Sequence, residues 1–495
     1  MVVPELQNGS VGTHTNSSHL YQGPQHSVSN GNRESSVNVG LHDDRQECTE
    51  TDYLLPCKLY GESSLTRSLR AKHADVSGAP AESVRSILLQ ILVPFLLAGL
   101  GTVCAGMLLD VVQNWEVFQE ITEIFILVPA VLGMKGNLEM TLASRLSTAV
   151  NAGKMESAQE KWMMIVGNLA LKQLQATVLS LLASLMATVL GWIGEGKMPL
   201  NHMVLLCSTS VSTAFVASLL QGILTVGVIL GSKRMGINPD NVATPMAASF
   251  GDLITLALLA SFSQWFYSFI DLYPYVLYLV DLLYLCLIPV WMAVSSKHPA
   301  SQLLLRTGWE PIITAMVISR THGNPPQFIE DTCLLPFLYL TGVGGNLVSI
   351  QSSRISTNLH MYYSPGNLPE GHNGCCNPFR SFFGSGANHR SAQVLLLMVI
   401  PGQLIFLYTI HLLKGGHTVP SPLFTVFFLS ASLIQVFCLL SITDCMVHCL
   451  WRRNKDPDSY SIPYLTALGD LLGTALLSLA FLILWYIGDS GIRPV

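Results

Sequence analysis

The sequence predicts an all-α polytopic membrane protein: two parallel five-helix repeats joined by a linking transmembrane helix, about 11 spans in all, with the N-terminus in the cytosol. Three observations predict it. The 495 residues are 50% hydrophobic and only 12% charged, against about 25% charged in an ordinary soluble domain. From residue 86 onward, apolar runs of membrane-spanning length alternate with short polar connections. Two sets of motifs recur in order further along the chain. Together these exclude a soluble enzyme, and a net charge of -5 leaves no basic footprint for nucleic acid.

Residues 1–80 carry 15 of the charged side chains and are rich in Ser, Asn, Gly and His without apolar periodicity, which predicts a disordered cytosolic tail. The sequons at Asn8 and Asn16 stay unused on that side of the membrane. The predicted spans are 86–109, 121–143, 173–194, 202–230, 245–270, 273–294, 303–319, 328–350, 391–413, 421–448 and 462–487. They divide into a first repeat (81–271), a linking helix (272–300) and a second repeat (301–490). With the N-terminus inside, 17 Lys and Arg residues fall on cytosolic connections and 4 on the other side, a clear positive-inside bias. The weakest span is 303–319, which contains Arg306 and Glu310. Cys445, His448 and Cys449, like His372, Cys375 and Cys376, read as free thiols or palmitoylated cysteines at the cytosolic surface, since patterns this short specify a zinc site loosely.

The repeat carries the chemistry. Gly133-Met134-Lys135-Gly136-Asn137-Leu138, with Ser144-Arg145-Leu146-Ser147-Thr148 following, returns 209 residues later as Gly342-Val343-Gly344-Gly345-Asn346-Leu347 and Ser353-Arg354-Ile355-Ser356-Thr357. Asn238-Pro239-Asp240, Pro245 and Gly251-Asp252 return 218 residues later as Asp456-Pro457-Asp458, Pro463 and Gly469-Asp470. Five spans per repeat would invert the second copy; the linking span restores its phase, so repeat-related residues can face one another across a central path.

Asp252 and Asp470 each follow by seven positions a proline suited to a first helical turn, about 10 Å into the membrane. A carboxylate there costs about 2.5–3.5 kcal/mol on insertion scales. The plain alternative is a buried acid satisfied by Thr255 or Thr474. A cost incurred in both copies points instead to a hard-cation site, and a divalent ion that keeps several waters, such as Mg2+, suits two facing carboxylates. Gly133, Gly136, Gly342 and Gly345 let backbone approach the path or serve close helix packing. Asn137 and Asn346 can bond coordinated water. Asp240 and Asp458 lie at the cytosolic mouth, gathering cations or capping the following helices. Lys135 and Glu139, spaced i,i+4, pair in the first repeat alone; Glu139 either neutralises Lys135 or acts as a coupling or gating carboxylate.

These motifs, with the string Lys135-Gly136-Asn137-Leu138-Glu139-Met140-Thr141-Leu142-Ala143-Ser144-Arg145, resemble the MgtE-type magnesium transporters and their animal members, solute carrier family 41, over about residues 85–488. The resemblance implies Mg2+ movement across a membrane, with Asp252 and Asp470 lining the path and Asn137 and Asn346 flanking it. It also implies Na+ as a possible coupling ion. Mg2+ is then the transported substrate, no cofactor is implied, and the protein is not an enzyme. The ion-sensing and CBS domains of the bacterial relatives have no counterpart in the tail. Pro311 to Gly342 spans 31 positions where Pro94 to Gly133 spans 39, so the seventh span is short.

Two other readings compete. A divalent-permeable channel would use the same site. An intramembrane aspartyl protease would need two acids sharing a proton, but Ser249 and Ala467 stand where its Gly-x-Gly-Asp motif needs glycine. Without an Arg-rich amphipathic presequence, the plasma membrane is favoured over the mitochondrial inner membrane.

Overall fold

The computed structural model describes residues 83–155, 157–195, 199–270, 273–320, 327–368, 381–383, 386–413 and 421–487, so the predicted tail lies outside the described residues. The described residues form helices without strands. The first half comprises α1 (Val84–Val112), a short α2 (Glu116–Glu120), α3 (Glu123–Asn151), α4 (Ala158–Glu195), α5 (Leu200–Arg234) and α6 (Pro239–Tyr267). The linking helix is α7 (Tyr275–Ser295). The second half comprises α8 (Pro299–Thr307), α9 (Glu310–Arg320), α10 (Gln327–Tyr362), α11 (Ala387–Leu413), α12 (Pro422–Arg452) and α13 (Pro457–Ile487). Nine helices among the described residues are long and apolar enough to cross a membrane.

The predicted span 328–350, which falls in α10, is not among them, and neither is 303–319. The segment is broken between α8, 9 residues long, and α9, 11 residues long. Eleven residues rise only about 16 Å, half a hydrocarbon core. Gly308 ends α8, its N–H bonded to the Leu304 carbonyl at 2.9 Å, and Pro311 suits the first turn of α9.

The linking helix lies at the periphery against α4 and α5, with only Leu277 and Ser295 buried among its described side chains. In each half, three helices pack mutually: α3, α5 and α6 in the first, α10, α12 and α13 in the second. The leading helix of each half also crosses to the other: α1 packs on α10 and α11, while α8 reaches α4 and α9 reaches α3. Helices in lipid gain little from apolar burial against one another and depend on close packing at small residues. Here Phe406 of α11 lies over Gly99 of α1, and Phe95 of α1 over Gly402 of α11. The two rings meet edge to face with centroids 5.6 Å apart.

Several helices start where the sequence supplies a cap. Ser83 accepts from the Ser86 N–H (3.2 Å) ahead of α1, Asn238 from Asp240 N–H (3.1 Å) ahead of α6, and Ser421 from Phe424 N–H (3.0 Å) ahead of α12. Pro239 and Pro422 occupy the first turns of α6 and α12. Because α6 and α13 begin at Pro239 and Pro457, Pro245 and Pro463 lie inside their helices. Asp252 and Asp470 are then 13 positions from each helix start, about 20 Å along it rather than 10 Å. Cys445 is disulfide-bonded, against the free-thiol expectation; His372, Cys375 and Cys376 lie outside the described residues.

Candidate ion path

Asp252 and Asp470 sit near the middle of α6 and α13, and both side chains are half-buried. Thr255, the hydroxyl expected to satisfy Asp252 in the plain alternative, accepts from Gln221 Nε2 at 2.8 Å. Gly136 faces Asp252: a Cβ added there would lie 4.0 Å from Asp252 Oδ1. A Cβ at Gly133 would meet nothing within 4 Å, so close packing does not explain that glycine. At Gly342 it would come 3.8 Å from Thr102. In the second half the backbone approach is closer, because a Cβ at Gly469 would stand 3.6 Å from Gly345 N. Side chains would separate α10 from α13 at this level.

The two asparagines of the Gly-Asn segments cross between halves. Asn137 Oδ1 accepts from the Thr466 hydroxyl of α13, and Asn346 Nδ2 donates to the Ser249 hydroxyl of α6 at 3.1 Å. Both are buried beside the acid-bearing helices. Two glutamines that the motif comparison missed complete the arrangement. Gln221 of α5 donates to the Gly251 carbonyl at 2.7 Å, and Gln435 of α12 donates to the Gly469 carbonyl at 2.9 Å. Each holds the residue immediately before the aspartate. A buried glutamine inside an otherwise apolar span, 214 positions from its counterpart, was the available signal.

Asp240 and Asp458 are 1% exposed, enclosed where the two halves meet. Ser353 of the second half donates to Asp240 Oδ1 (2.9 Å), and Ser144 of the first donates to Asp458 Oδ1 (2.6 Å). The Ser144 and Ser353 hydroxyl oxygens are 2.9 Å apart, and those of Thr148 and Thr357 are 3.0 Å apart. Ser147 also donates to Asp240. Neither aspartate is the cap of its helix, a role taken by Asn238 ahead of α6; at α13, Asp456 accepts from Asp458 N–H at 3.2 Å. Burial pushes the Asp456 carboxyl above the usual carboxylate range, opposed by the Ser459 hydroxyl and the Arg145 charge.

Lys135 and Glu139 do pair, at 3.4 Å, and a second lysine missed in the sequence, Lys172 of α4, contacts the same carboxylate oxygen. All three side chains are fully buried. Lys135 also donates to the Ser218 hydroxyl (2.5 Å) and Lys172 to the Ser218 carbonyl (3.0 Å), while Glu139 Oε2 has no hydrogen-bond partner. This cluster lies directly behind Gly251, whose added Cβ would be 3.6 Å from Glu139 Cγ. In the second half Gly344 replaces Lys135, and Gln435 fills the space.

The MgtE family model, described as a divalent cation transporter, matches residues 128–262 and 338–480. Solute carrier family 41 member 2 of Mus musculus is 63% identical over 417 residues, covering 83% of this chain and 72% of that protein. The Xenopus laevis member 2 is 58% identical over 451 residues, covering 89% and 79%. Solute carrier family 41 member 3 of Rattus norvegicus is 45% identical over 416 residues, covering 82% and 89%.

Proposed function

Because the chain belongs to the MgtE family of divalent cation transporters, in its solute carrier family 41 branch, we propose that it moves Mg2+ across a membrane along a pseudo-two-fold path between Asp252 and Asp470. One observation carries this reading: repeat-related carboxylates stand near mid-helix, half-buried, on α6 and α13, each of which packs against the other half's Gly-Asn helix. Two like charges at membrane depth repel, and a cation between them turns that repulsion into attraction. Mg2+ gives up its water reluctantly, so the half-buried carboxylates suit it as outer partners through retained water. Asn137 and Asn346 steady the flanking helices, and Gln221 and Gln435 fix the glycine carbonyls just ahead of the acids. Asp240 and Asp458 close the end predicted to be cytosolic, through hydroxyls that a rocking of the halves would release. The role is transport and not catalysis.

Sodium coupling is the second reading, favoured by Glu139, whose unpartnered oxygen lies behind Gly251 in the first half alone. Mg2+ flux into liposomes containing the purified protein tests both. Asp252→Asn and Asp470→Asn, inserted and folded, are expected to slow flux severely; normal flux through either would refute the site. Flux unchanged by an imposed sodium gradient would leave a channel or uniporter.

A further inference from the structure

We infer that His360, Asp456 and Asp458 form a second cation site, for a divalent first-row transition metal, at the N-terminal end of α13. Ligand atoms of these three buried side chains all lie within 4.8 Å of one another. His360 Nε2 is 3.4 Å from Asp456 Oδ1, but neither ring nitrogen makes a hydrogen bond, and Asp458 Oδ2 has no partner either. A tilted ring contact with Trp451, centroids 4.8 Å apart and planes at 42°, holds the imidazole in place.

The first half explains why these atoms lack partners. By the repeat offsets, Asn151, Asn238 and Asp240 occupy the corresponding positions. There the Asn151 amide donates to Asn238 Oδ1 (3.0 Å) and to Asp240 Oδ2 (2.9 Å), so one donor bridges two acceptors. In the second half the donor has become an imidazole and one acceptor has become a carboxylate. What bridged as an amide N–H can be bridged by a metal ion accepting lone pairs from all three. Asp458 Oδ1 remains with Ser144 and Asp456 Oδ2 with Ser459, which leaves Asp458 Oδ2 for the metal, together with the lone pair of Asp456 Oδ1 that the Asp458 N–H does not take. Arg145 and Lys154 supply the positive charge felt at Asp456, with which a dication would compete. Imidazole with carboxylates selects Mn2+, Fe2+ or Zn2+ over Mg2+, which prefers oxygen alone. The site is 12 positions from Asp470 along α13, about 18 Å, and so lies at the closed end of the path rather than between the two mid-helix acids.

Mn2+ binding to the purified full chain in excess Mg2+ tests this by electron paramagnetic resonance. The expected result is a single tightly held Mn2+ showing imidazole nitrogen coupling, kept in the Asp252→Asn/Asp470→Asn double variant. His360→Asn, the residue the first half carries, is expected to lose the coupling and weaken binding at least roughly 100-fold. A wild-type protein that holds no nitrogen-coupled Mn2+ overturns the assignment, whatever the folding of the variant. So does Mn2+ retained in His360→Asn, or lost only in the aspartate double variant.

Discussion

The first half keeps its leading helix as one 29-residue element, α1, whereas the second divides the corresponding stretch between α8 and α9, 9 and 11 residues long. Yet the groups along the meeting of the halves are the same in both: an aspartate at mid-helix, a glutamine of the same half on the carbonyl before it, an asparagine crossing to a hydroxyl of the other half, and serine and threonine at the junction. Differences accumulate one layer back. The first half buries a lysine, glutamate and lysine cluster where the second has Gly344 and Gln435. The second has His360 and Asp456 where the first has two amides. The lesson is that side chains which must act jointly are held alike, while those that only support them are free to diverge.

The largest effect should come from the shared layer. Asp252→Asn and Asp470→Asn should each cut Mg2+ flux in liposomes by at least about tenfold, ~1.4 kcal/mol on the barrier, and by similar factors; a strong effect from one alone would mean that a single half carries the ion. The next should be confined to the first half. Glu139→Gln leaves two buried lysines without a counter-charge and is expected to cost about 3–5 kcal/mol, seen as a lowered unfolding midpoint in detergent, with no equivalent site to mutate in the second half. Across the halves, Gly402→Ala would set a Cβ 2.3 Å from the Phe95 ring, and overpacking of this kind costs about 1–3 kcal/mol in the same assay. Smallest, Gln221→Leu and Gln435→Leu should each cost about 0.5–1.5 kcal/mol by removing one buried hydrogen bond to a glycine carbonyl that keeps its helical partner. Matched costs would support equivalence of the two glutamines, and a large mismatch would break it.

Much of this was legible beforehand. Apolar run length located the long helices, since a span in lipid must satisfy its own backbone, and the internal repeat selected Asp252, Asp470 and the Gly-Asn segments. The seventh span misled because its composition is apolar enough while its backbone is interrupted at Gly308 and Trp309. The starts of α6 and α13 were missed by six and five residues because Pro245 and Pro463 imitate a first-turn proline, and the true caps lie upstream. Lys172, Gln221 and Gln435 lay outside the repeated strings. Their roles depend on which helices pack together, and periodicity does not report that.

The junction of Ser144 with Ser353 and Thr148 with Thr357 has a consequence for how a duplicated chain is constrained. Wherever the copies touch at equivalent positions, a side chain meets itself, and most polar residues cannot tolerate that encounter: two lysines or two carboxylates repel, and two arginines only donate. A hydroxyl is both donor and acceptor, so it is its own complement, as at Thr148 and Thr357, and it is uncharged, so Ser144 and Ser353 can meet while each gives its one proton to an aspartate. Serine and threonine there would have suited a pair of identical ancestors before fusion as well as they suit the fused chain. Retaining them asks nothing new of either copy, whereas changing one alone leaves its twin without a match.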